Sequence, residues 1–226
     1  MCFIKKCVLI LFFLLAYATH GQDNFTFYIE PAISLNYDVA TNYTHNFEIA
    51  NRSYIYDEDV ALSVRQLEIA HFSKLEIGFD QSIALGIKYR FREAFEGDEE
   101  NELRFTQQYN LTKRDGNARI GNRIRLEQRI RPSITIHRLR YRLAFDTPLN
   151  GEQLDVGEAY FVASTEALLS LAKASKPEFD QRFTSQIGWL LNPETKLQTG
   201  IEYRFENYGQ KTEYVLFLLA GLVFSM

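Results

Sequence analysis

Cysteine is almost missing from this chain: there are two in 226 residues, Cys2 and Cys7, both at the start. Beyond them no disulfide framework and no Cys-ligated metal can form. Histidine is scarce as well, at four, and tryptophan occurs once. Metal-ligand clusters, phosphate-binding glycine loops and nucleotide fingerprints are absent from the sequence, so no cofactor is expected. There is no positive excess, with 25 Lys plus Arg against 29 Asp plus Glu, and hence no general drive toward nucleic acid. The one long apolar run, residues 8–18, falls short of the ~20 residues of a spanning helix. What remains is 46% hydrophobic, too apolar for a disordered chain, and 24% charged, high for a helical membrane protein.

The first 21 residues have the layout of a secretory signal peptide. Lys5 and Lys6 form a positive start, the apolar run follows, and Gly21 is a small residue before Gln22, with Ala18 as the alternative cleavage point. Both cysteines leave with this segment, and 23 basic against 29 acidic residues then give a net charge of −6. An exported protein of this size without disulfides fits a bacterial envelope better than an animal secretion. The expected division is residues 1–21 as leader and 22–226 as one domain.

The body of the chain alternates. Arg119, Gly121, Arg123, Arg125, Glu127, Arg129 and Arg131 interleave with Ile120, Asn122, Ile124, Leu126, Gln128 and Ile130. Successive side chains of a strand point to opposite faces, so this is one charged and one largely apolar face. Arg138, Arg140 and Arg142 repeat the device against Leu139, Tyr141, Leu143 and Phe145. Lys88, Arg90 and Arg92 repeat it against Ile87, Tyr89 and Phe91, and Glu202, Arg204 and Glu206 against Ile201, Tyr203 and Phe205. Turn signals separate such segments, among them Asp80-Gln81-Ser82, Asp115-Gly116-Asn117, Pro148-Leu149-Asn150-Gly151 and Leu191-Asn192-Pro193-Glu194. Eleven strand candidates result, near residues 25–37, 43–55, 63–77, 82–95, 102–113, 118–131, 134–147, 158–171, 179–191, 195–207 and 212–224.

Two architectures hide such faces. A soluble sandwich or lipocalin-like barrel turns its apolar face inward; an outer-membrane barrel turns it to lipid and lines its interior with the polar face. Strands of 11 to 15 residues exceed the ~5–6 of globular proteins and reach the ~9–11 that cross a bilayer at a tilt. Tyr37, Tyr43, Phe79, Phe95 and Phe145 sit where interfacial aromatic girdles would lie. The expected fold is therefore all-β, a single antiparallel transmembrane barrel of the outer-membrane type. Because single-chain bacterial barrels have even strand numbers, eleven candidates imply ten or twelve strands. Tracing back from a final strand that runs down to the periplasm puts the four turns above on the periplasmic side and the acidic loop at residues 96–101 outside.

The runs Arg123-Ile124-Arg125-Leu126-Glu127-Gln128-Arg129 and Arg138-Leu139-Arg140-Tyr141-Arg142-Leu143, the turn Pro148-Leu149 and the strand with Ser164-Thr165-Glu166 carry a further signal. Together they resemble the bacterial family catalogued as domain of unknown function 2490. The resemblance covers nearly the whole mature chain and implies an outer-membrane β-barrel of a kind frequent in the Bacteroidetes. Thr165 departs from it, since Asn is expected before Glu166. The family implies no reaction and no ligand.

Function must then come from the interior. The expected lumenal charge cluster comprises Lys88, Arg90, Arg92, Arg119, Arg123, Arg125, Glu127, Arg129, Arg138, Arg140, Arg142, Glu166, Glu202 and Arg204. Buried charges are tolerated when paired and hydrogen-bonded, so these side chains either interlock as a structural plug or form a wall that attracts anions in a narrow pore. The expected partners are outer-membrane lipid and lipopolysaccharide, with small anions in the lumen and no nucleic acid. No enzyme is expected: His45, His71 and His137 all fall on the apolar parity, away from the charged face. A membrane-embedded acyl hydrolase or transferase and a soluble periplasmic ligand carrier are the alternatives.

Overall fold

A computed structural model describes residues 24–226; the expected leader, residues 1–21, lies outside them. The described residues form strands β1 (Phe25–Ala40), β2 (Tyr43–Asp57), β3 (Asp59–Val60), β4 (Val64–Gly78), β5 (Gln81–Phe91) and β6 (Glu102–Asp115). They continue with β7 (Ala118–Ile130), β8 (Thr135–Pro148), β9 (Ala159–Ala172), β10 (Glu178–Asn192), β11 (Thr195–Glu206) and β12 (Glu213–Ser225). No helix occurs among them. Apart from the two-residue β3, each strand pairs with its sequence neighbours in antiparallel register.

The sheet closes because β1 pairs with β2 on one side and with β12 on the other. This last pairing is parallel, running from Phe25↔Tyr214 to Asn36↔Ser225. Beyond its two ends, Tyr214 N–H donates to the Asn24 carbonyl and Asp38 N–H to the Met226 carbonyl, both at 2.9 Å. The barrel therefore has eleven long strands, and the expected ten or twelve is corrected. An antiparallel meander of odd length brings its first and last strands together pointing the same way. An even number of strands would make the closing pair antiparallel as well. A parallel pair satisfies both edges nearly as well, so β1 is a full barrel strand of 16 residues.

All four two-residue turns lie at one end, at residues 41–42, 79–80, 116–117 and 193–194, together with the 149–158 connection and the chain end. At the opposite end are residue 24 and the connections at 58–63, 92–101, 131–134, 173–177 and 207–212. These are called the turn end and the loop end below. In the hairpin between β6 and β7, Gly116 holds φ at 59°, a left-handed conformation that side chains with a Cβ rarely adopt. Phe95, expected as a girdle residue at the end of a strand, is instead in a turn. There β5 stops at Phe91, and Phe95 and Glu96 both donate to the Arg92 carbonyl at 2.8 Å.

The two faces of the wall separate cleanly. Leu85, Ile33 and Leu126 stand on the outer surface 65%, 57% and 51% exposed, while Glu102 on the inner surface is 1% exposed. The interior is thus largely polar, and its buried apolar cluster is where Tyr28, Val215 and Phe217 meet on β1 and β12. Phe217 lies under Arg204, 3.8 Å from its ring centre, and Arg52, 4.7 Å away, so even this patch is capped by guanidinium groups.

Candidate functional site: the charged interior

Inward positions on adjacent strands bring the cluster together. Glu102, at the start of β6, is its most enclosed member. Its carboxylate meets Arg104 of the same strand at 2.5 Å, Arg129 at 2.8 Å, Arg131 at 3.0 Å and Arg90 at 3.7 Å. Glu68 takes Lys88 and Arg90, each at 2.5 Å, and a hydrogen bond donated by the Gln66 amide at 2.6 Å. Arg140 bridges Glu127 at 2.7 Å and Glu166 at 2.5 Å. Arg204 joins Glu202 at 2.5 Å and Glu206 at 3.4 Å, while Arg138 faces Asp180 at 3.6 Å. Arg92 reaches from the loop end to Glu99 at 2.9 Å and donates from Nε to the Gln66 side-chain oxygen Oε1 at 3.1 Å. Each of these carboxylates neutralises one or more guanidinium groups in surroundings where an unpaired charge would be costly.

Of the residues in the expected cluster, all but one line the interior cavity. Arg119 is half exposed at the turn end and pairs with Asp146 at 2.8 Å. Several participants were not in it. Arg104 shares the inward parity of Glu102; Arg182, Asp180, Arg52, Arg65 and Gln66 also face inward from β10, β2 and β4. On β10 the outward face includes Gln181 and Ser185, which blurs the contrast that revealed β7 and β8.

The lattice is uneven along the barrel. Its tightly buried members, Glu68, Arg90, Glu102, Arg104, Glu127 and Arg129, occupy the loop-end half and the middle. Toward the turn end many inward residues are small or neutral, including Ser34, Asn46, Ala84, Ser164, Gln186 and Gln198, and the charges there form the pairs Lys74–Glu76 and Arg119–Asp146. A cavity of about 760 Å³ lies inside, lined by sixteen Lys and Arg side chains against eight Glu. No cluster of three or more His, Cys, Asp or Glu that could hold a metal ion is present among the described residues.

A second polar group lies on the outer wall. His45 of β2 is directly opposite Ser73 of β4, and Ser73 Oγ lies 3.3 Å from His45 Nδ1 and 3.2 Å from His71 Nε2. The two imidazole rings are 5.0 Å apart, with Phe47 packed on His71 at 4.6 Å. His45 and His71 therefore do sit on the outward parity. Ser73 was missed because one of its two contacts, with His45, depends on cross-strand register.

Fold and interior define a class: a closed eleven-strand β-barrel with an apolar outer wall and an ion-paired core. The chain belongs to the family described as "Protein of unknown function (DUF2490)", whose model matches residues 31–215. No curated protein and no solved structure matches it.

Proposed function

We propose that the protein is an integral barrel of a bacterial outer membrane, with lipid and lipopolysaccharide around its wall, acting as a structural or binding component of the envelope. One observation carries this: the barrel is inverted relative to a soluble carrier, with Leu, Ile and aromatic side chains outward and Arg and Glu inward. In water such a wall would be one continuous apolar surface, far beyond the few hundred Å² that soluble monomers leave exposed. Strands of 11 to 16 residues are long enough to cross a bilayer at a tilt. The short turns then face the periplasm and the connection at residues 92–101 faces outward, by the usual asymmetry of such barrels. Inside, the interlocked charges of the loop-end half favour an occluded lumen over a continuous pore.

The test is extraction and reconstitution. The protein is expected in the membrane fraction, released only by detergent, with gel mobility that changes on heating, and with no stepwise ion conductance in planar bilayers. Recovery from the aqueous fraction overturns the membrane assignment, and steady conductance overturns the occluded lumen.

The Ser73, His71 and His45 group supports a second function, ester hydrolysis in the membrane plane. A serine beside an imidazole has the form of an activated nucleophile, and near the barrel's turn end it would lie at the depth of lipid ester groups. Against it, His71 Nδ1 is buried without a hydrogen-bond partner, so no third group orients that ring as a general base requires. Phospholipid turnover abolished by Ser73→Ala would establish the activity; no turnover by the unsubstituted protein rejects it.

A further inference from the structure

The lattice has a gap in its charge balance, and the gap has a place. On β7 and β8, Arg123 is directly opposite Arg142, and Arg125 is directly opposite Arg140. Like charges facing each other across neighbouring strands repel. Arg140 is neutralised by Glu127 and Glu166. None of the other three has a carboxylate of its own. Arg142 has no carboxylate within 4.0 Å among the described residues, and its Nε is buried without a partner. The Nε of Arg123 is also buried and unpartnered, and its terminal nitrogen only approaches Glu166, at 3.7 Å. Glu166 is already committed, since its other oxygen is held by Arg140 at 2.5 Å.

Arg125 is held in position by neutral groups. It donates two hydrogen bonds to the Gln108 amide oxygen, at 2.9 and 2.5 Å, and sits over the Phe72 ring at 5.4 Å. Its one carboxylate neighbour, Glu127, is 3.6 Å away and belongs to Arg140. Phe72 in turn lies across Gly86, where a Cβ would come within 2.2 Å of the ring, so the glycine makes room for this support. On the turn-end side of Arg123 and Arg142 the next inward pair is Gly121 and Ala144, so no long side chain of β7 or β8 covers that side of the two arginines, and the Arg119–Asp146 pair stands one step further out.

We infer that Arg123, Arg125 and Arg142 form a seat for a phosphate-like oxyanion, free or as the terminal group of a small solute, entered from the turn end of the barrel. Three guanidinium groups on one face suit a tetrahedral oxyanion, because each offers a planar fork of donors that matches paired phosphate oxygens. The bound anion supplies the negative charge that the carboxylates of the lattice leave missing. The seat deepens the binding role proposed above and rests on it. Its failure remains distinguishable from failure of the membrane assignment, because the titration reads the interior whatever surrounds the wall.

The full-length protein is titrated calorimetrically with inorganic phosphate and, separately, with glycerol 3-phosphate, in buffers of constant ionic strength made up with chloride. Saturable 1:1 binding of either probe is expected; preference for the ester assigns the seat to a phosphorylated solute, preference for the free ion to phosphate itself. Arg142→Gln removes a guanidinium that makes no ion pair, so the lattice stays intact and affinity falls about tenfold or more. Arg119→Gln removes the same charge at the mouth and leaves affinity within about twofold. No saturable binding of either probe overturns the proposal. So does an equal loss in Arg119→Gln and Arg142→Gln, which would mark a diffuse positive field in place of a seat.

Discussion

At the scale of single residues, what matters is how many opposite charges each buried group serves. Glu102, 1% exposed, holds Arg104, Arg129 and Arg131 within 3.0 Å. Glu102→Gln keeps the volume and leaves three guanidinium groups facing one another, and removing one partner of a buried pair costs about 3–5 kcal/mol. The expected outcome is a clear fall in the temperature of the heat-induced mobility change. Arg119→Gln, at a half-exposed pair, costs about 1 kcal/mol or less and leaves that temperature nearly unchanged. Equal shifts in the two variants would mean that the lattice is incidental to stability. Ser73 shows the limit of reading single residues from sequence: His71 is two residues before it on β4, but the second imidazole, His45, is brought beside it only by the pairing of β4 with β2.

At the scale of elements, legibility followed contrast between faces. On β7 every inward residue but Gly121 is charged and the outward ones are Ala, Ile, Leu, Asn or Gln, so both the strand and its orientation can be read from spacing. All eleven candidate segments correspond to long strands whose ends agree within four residues. β12 is different. Its inward residues Val215, Phe217 and Leu219 are as apolar as the outward Leu216 and Leu218, because the inner face packs under Arg204 and Arg52. Parity there is invisible, and nothing in β1 or β12 announces a parallel seam. That seam gives a direct test. Ile29 and Leu218 are partners across it. Cysteines at these two positions are expected to form a disulfide under mild oxidation, since a paired Cα separation falls in the bridging range. In a barrel of ten strands, β12 would meet β2 and this bridge would not form.

At the scale of the whole molecule, the odd strand number places residue 24 and Met226 at opposite ends of the barrel. Protease-sensitive tags ahead of residue 24 and after Met226 are therefore expected to be cut from opposite faces of sealed vesicles; cutting from one face alone would restore an even count. The inversion of the wall bears on more, because the proposed envelope location and the proposed occluded interior both depend on it. The described residues contain no cysteine, so with Cys2 and Cys7 replaced, single thiols can be placed at will. The most direct measurement is fluorescence of a probe attached in turn at Ile124, Arg125 and Leu126 in vesicles containing lipid-attached quenchers. Strong quenching at 124 and 126 with little at 125 is the predicted result. Quenching at 125 alone, or equal accessibility of all three positions to a water-soluble quencher, would contradict it.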